Sequence, residues 1–113
     1  MKIIAETIDR QELQRMAAGM FGNMVKAVVD VERGLMAVDA ELHADLEAVL
    51  LQEGSIQKNL WGINLYPAFA GEEFVEFDSM INMRPSQNNR SRSVEDGKIR
   101  EHILRVVRQR TAP

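Results

Sequence analysis

A chain of 113 residues, 45% hydrophobic and 27% charged, has material for one hydrophobic core and too little for a second domain. It contains no cysteine, which excludes disulfides, thiolate nucleophiles and cysteine zinc sites and leaves His43, His102 and carboxylates as the available metal ligands. The net charge of −3 is uneven: residues 1–83 carry 6 basic and 14 acidic side chains and residues 84–113 carry 8 and 3, so −8 and +5 sum to the total, and the carboxy-terminal part is a candidate anion-binding face.

No apolar run approaches the roughly 20 residues of a membrane-spanning helix, and the start, MKIIAETIDR, turns acidic before a signal-peptide core forms. A cytoplasmic protein without a cofactor is expected. Residues 2–8 (KIIAETI) read as a first strand ended by Asp9, which has capping-box spacing to Glu12. Leu13, Met16, Ala17, Met20 and Phe21 recur at helical spacing before Gly22, so 10–21 is a predicted helix. Over 24–32, Val25, Ala27, Val29 and Val31 alternate with Lys26, Val28, Asp30 and Glu32, the period of a half-buried strand.

Arg33-Gly34 turns the chain into a partner strand over 35–39, and from Glu41 to Gly54 Leu42, Leu46, Val49 and Leu50 share a helical face. Residues 60–66 (LWGINLY) form a strand with Trp61, Ile63 and Leu65 on one side, ended by Pro67. Residues 73–83 (EFVEFDSMINM) are its partner, with Val75, Phe77, Ile81 and Met83 aligned, and 97–110 is helical through Ile99, Ile103, Val106 and Val107. The order βαββαββα predicts one α+β domain over residues 1–113, a mainly antiparallel sheet with helices packed on one face.

One stretch has no place in a core. Residues 84–93, RPSQNNRSRS, hold three arginines, three serines, two asparagines and one glutamine. The guanidinium forks of Arg84, Arg90 and Arg92 suit phosphate or carboxylate oxygens, and Ser86, Gln87, Asn88 and Asn89 supply hydrogen-bonding groups around them. Ser93, with Asp96 three residues on, has the spacing to cap the last helix. The bland account is a solvated connection whose arginines pair with acids such as Glu76 and Asp78, each pair contributing under about 1 kcal/mol.

His43 lies at the edge of the second helix's apolar face with Glu47 one turn on and Asp45 nearby, a spacing that suits a shared metal or an acid-base pair, although most such histidines are bonded locally. Glu76 and Asp78 share a strand face with Asn82, as Asp30 does with Glu32; paired acids of this kind suit a cation but more often form a solvated face. Trp61, Tyr66, Phe69, Phe74 and Phe77 cluster in sequence and would make a base-stacking platform if exposed on one sheet face beside positive charge; core packing is the better account, with Tyr66 and Phe74 on the opposite phase from the core set.

WGINLYP (61–67), EFDSMINMRPSQNNRSRSVED (76–96) and VKAVVDVERGLMAVDAELHADLEAVLLQEGS (25–55) together resemble a family of small bacterial proteins known only as a domain of unknown function. The resemblance implies a single-domain prokaryotic protein and no activity, so no catalytic residue follows from it. From the residues alone, the leading expectation is a binding module for a phosphate-bearing ligand or RNA, with Arg84, Ser86, Gln87, Asn88, Asn89, Arg90, Arg92 and His43 as the binding set and no metal. Two other expectations stand beside it: a homo-oligomeric interaction protein with an adaptable methionine-rich surface, and a metal-independent ribonuclease with His43 as its acid-base group.

Overall fold

The structure is a computed structural model that describes all 113 residues. The expected first strand is in two pieces, β1 (Lys2–Ile4) and β2 (Ile8–Asp9), because β2 turns away to pair in parallel with β7 (Thr111–Ala112) and ties together the two ends of the chain. Asp9 caps α1 (Arg10–Gly19) by accepting from the Glu12 N–H at 2.8 Å. Glu12 itself does not reach back; it pairs with Lys2. The helix closes before residues 20–21, where Gly22, at φ +89°, donates to the Ala17 carbonyl at 2.6 Å and leaves Met20 and Phe21 exposed.

Next come β3 (Val25–Asp30), β4 (Leu35–Val38) and α2 (His43–Gln52). The turn between β3 and β4 uses up Asp30, whose Oδ1 accepts from the N–H groups of Glu32 and Arg33, both at 2.9 Å, while Oδ2 accepts from the Ser55 hydroxyl at 2.6 Å. Asp30 and Glu32 are therefore not a paired cation site. The chain continues through β5 (Leu60–Leu65), β6 (Val75–Glu76) and α3 (Gly97–Arg110). The fold is α+β: three helices and a five-stranded antiparallel sheet in the order β1-β4-β3-β5-β6. No helix is long and apolar enough to cross a membrane.

Helices cover both faces of the sheet, not one. Val25, Ala27 and Val29 pack with Trp61, Ile63 and Leu65 against residues of α1 and α3, whereas Val28 packs with Ala37 and Leu60 under Leu46 and Leu50 of α2. Val28 is thus as buried as its neighbours, and the alternation over 24–32 hides a strand with two dry faces.

The second departure is the expected strand over 73–83, of which only Val75–Glu76 pairs. Val75 and Phe77 pack on the α1/α3 side and Ile81 on the α2 side, so the chain crosses from one face of the sheet to the other. A single 3-10 turn, Met80–Asn82, makes the crossing, capped by the Ser79 hydroxyl. The Asn82 side chain then replaces the missing strand: Oδ1 accepts from the Gly62 N–H at 2.8 Å and Nδ2 donates to the Gly62 carbonyl at 2.9 Å. Gly62 is required there, because a Cβ would lie 2.5 Å from the Ser79 Cβ. The cap of α3 is Asp96, which accepts from the Lys98 N–H at 2.8 Å, and not Ser93, whose hydroxyl accepts from Arg100.

Candidate functional site

The loop over 84–93 is ordered by its own polar groups. Arg84 and Asn89 pair backbone to backbone, a 3-10 turn (Pro85–Gln87) lies between them, and Asn88 takes the left-handed conformation at φ +60°. Asn89 is buried and fully used: Nδ2 donates to the carbonyls of Asn82, Ser91 and Ser93, and Oδ1 accepts from the Glu95 N–H. Glu95 Oε2 accepts from the N–H groups of Arg90 and Ser91 at 2.9 and 2.8 Å. These bonds, those from Ser91 first, hold the Glu95 carboxyl below the usual carboxylate range.

Arg84 points inward instead of outward. Its Nε donates to the Ile81 carbonyl and Nη1 to the Gln57 carbonyl, each at 2.9 Å, with Gln87 Oε1 at 3.5 Å; Nη2 faces the Leu60 carbonyl and Glu47 Oε2, the latter at 3.4 Å. All five donors have acceptors, and the guanidinium carbon sits 4.8 Å from the Trp61 ring centre. Burial pulls its pKa down, Glu47 opposing. Arg84 bolts the loop to β5 and has no donor left for a ligand. Gln87 is engaged with Lys58 and Arg84, which leaves Ser86, Asn88 and the side chains of Arg90 and Arg92 at the surface.

A cleft of about 480 Å³ lies beside this loop, lined by His43, Lys26, Asn64, Glu76, Asp78 and Arg92 among others. Its floor follows from strand register. Lys26 on β3, Asn64 on β5 and Glu76 on β6 are successive cross-strand partners and so form one row on one face of the sheet. The face is the one α2 covers, but α2 begins at His43, and Asn64 and its neighbours line the cleft that remains beyond its amino end.

Asn64 Nδ2 donates to Glu76 Oε1 at 2.9 Å and to the Asp78 carbonyl at 3.2 Å; the Tyr66 hydroxyl donates to the same Glu76 oxygen at 2.9 Å. Burial, then Glu76 and Asp78, raise the Tyr66 pKa. Arg92 Nε donates to Asp78 Oδ1 at 2.6 Å, and its Nη groups make no bond within the chain. Lys26 has no carboxylate partner; its ammonium lies 5.1 Å from the Phe21 ring centre.

His43 is the first residue of α2 and is buried on the same stripe as Leu46 and Leu50. Its Nε2 is 2.8 Å from the Ile63 carbonyl, which can only accept, so the ring proton sits on Nε2 and Nδ1 carries a lone pair. Burial pushes its pKa below the ordinary histidine range, the Ile63 bond and Asp78 opposing, Lys26 and Arg92 reinforcing. His43 is a neutral imidazole at neutral pH.

Of the expected binding residues, the structure brings His43 and Arg92 together in the cleft and does not bring Arg84, Gln87 or Asn89, which hold the loop; Ser86, Asn88 and Arg90 do not line the cleft. Glu76 and Asp78 do line it, whereas Asn82 is spent on Gly62. Lys26 and Asn64 were not in the expected set. Their signal was a polar side chain inside an apolar strand, in VKAVV and in WGINL, at positions that pair across two strands.

No curated protein and no solved structure matches this chain. Residues 2–110, nearly its whole length, match one family model, and the chain belongs to the family described as Protein of unknown function (DUF5674).

Proposed function

We propose that this protein is a binding module for a small phosphate-bearing ligand, taken up in the cleft at the amino end of α2 and not along the loop. The carrying observation is that the cleft gathers groups the fold leaves unused. Lys26, beside Asn64 in the row of strands, and the Nη groups of Arg92, on the loop, are cationic donors without a chain partner for each N–H. An arginine fork beside a concave wall suits phosphate oxygens, and the cleft is of the size of a small organic molecule. Loop 84–93 contributes Arg92, and Arg84 and Asn89 hold the loop in place. The absence of cysteine fits a reducing compartment, and a cytoplasmic location in a prokaryote goes with this reading.

Calorimetric titration with inorganic phosphate, phenyl phosphate and a short single-stranded RNA, at low and high salt, tests it. Phenyl phosphate binding that weakens as salt rises and drops at least tenfold in Arg92→Ala, but not in Arg90→Ala, is the expected result. RNA binding that depends on Arg90 would return the site to the loop, and no binding by any probe at millimolar concentration would remove the reading. A second reading, metal-independent ribonuclease, rests on His43: a neutral imidazole with a free lone pair in the same cleft as Arg92. It predicts slow RNA cleavage without metal, lost in His43→Ala.

A further inference from the structure

The floor of the cleft holds more hydrogen-bond acceptors than the chain satisfies. Asn64 Oδ1 is the one buried side-chain polar atom with no partner, on a residue only 5% exposed. The amide cannot be turned to relieve it, because Nδ2 already donates to two oxygens, Glu76 Oε1 and the Asp78 carbonyl, and the reverse orientation would oppose oxygen to oxygen. His43 lines the same cleft with an Nδ1 lone pair, fixed by the Nε2 bond to Ile63 and unbonded in the chain, that is not closed off as Asn64 Oδ1 is. Glu76 receives Asn64 and Tyr66 on Oε1 and leaves Oε2 unengaged. A buried acceptor left unpaired is costly, so a donor-bearing group that reaches Asn64 Oδ1 is favoured there.

We propose that this floor recognises a primary ammonium group, which makes the ligand an aminoalkyl phosphate ester: ammonium on Asn64, His43 and Glu76, phosphate toward Arg92 or Lys26. The phosphate half rests on the function proposed above; the ammonium half rests on the floor alone. An ammonium offers three N–H donors to three acceptors, and its charge is complemented by Glu76 and the neighbouring Asp78. A hydroxyl offers one donor and no charge. A methyl group offers none and leaves Asn64 Oδ1 as unsatisfied as before.

Nuclear magnetic resonance titration of the full chain separates these, reading the Asn64 side-chain amide and the backbone amides of residues 43, 64 and 76. The probes are O-phosphoethanolamine, 2-hydroxyethyl phosphate, n-propyl phosphate and ethylammonium chloride. O-phosphoethanolamine is expected to bind at least tenfold tighter than n-propyl phosphate, with 2-hydroxyethyl phosphate between them, and ethylammonium alone should shift Asn64. In Asn64→Ala, whose fold is checked by amide dispersion, the tenfold preference should collapse toward one. Equal affinity for the three esters, or tightest binding by the hydroxyl ester, overturns the ammonium assignment and leaves the phosphate site standing. A shift of Asn64 by ethylammonium with no ester bound overturns the phosphate half and supports the floor. No response to any probe overturns both.

Discussion

Two side chains of the same type as their neighbours have unlike roles, and burial decides which. Arg84 and Arg92 stand eight residues apart in one polar loop, yet Arg84 is 9% exposed with every donor engaged, while the Arg92 side chain is 54% exposed and uses only Nε. Arg84→Ala leaves three backbone carbonyls and Glu47 without their donor in a part-buried setting and should destabilise by about 3 kcal/mol. Arg84→Lys, a single ammonium in place of a fork, should recover less than half of that. Arg92→Ala should leave the denaturation midpoint within measurement error, since its pair is largely exposed.

His43 makes a pH prediction. Its pKa lies below the ordinary value in the folded chain, so the unfolded chain binds the proton more readily. Stability is therefore full above the unfolded histidine value of about 6.5 and falls as pH drops through that value toward the folded pKa. Chemical denaturation between pH 7.5 and 5 should show that decline, and His43→Gln should flatten it. Glu95, also lowered, adds a decline of the same sign only at the lower pH where carboxylates protonate.

At the scale of elements, the parts legible in sequence are those whose contacts are local. α3 begins and ends as its apolar spacing predicts, and the β3–β4 hairpin follows from alternation and Gly34. Residues 77–83 were illegible because Phe77 and Ile81 serve opposite faces of the sheet, and a period-two pattern carries no sign of a chain that changes sides. The cleft was half legible for a related reason: His43 and Arg92 stand out by type, whereas Lys26 and Asn64 gain meaning only from cross-strand register. Asn82→Ala tests the crossing. It strips both backbone groups of Gly62 of their partner and should cost about 2–4 kcal/mol. Gly62→Ala should be similarly damaging, since its Cβ meets Ser79 at 2.5 Å.

For the whole molecule, one sheet separates two cores, and the site lies where the smaller one stops. Trp61, 2% exposed beneath Arg84, belongs to the larger core with α1 and α3, so Trp61→Ala should destabilise by about 3–5 kcal/mol. The cleft is on the other face, over the Lys26–Asn64–Glu76 row. Substitution on its rim should change binding with little effect on folding. The most direct test of that placement compares two asparagine side chains during one titration with phenyl phosphate: Asn64 in the cleft and Asn88 on the loop. Movement of the Asn64 amide signals with Asn88 still is the predicted result; movement of Asn88 with Asn64 still would contradict it.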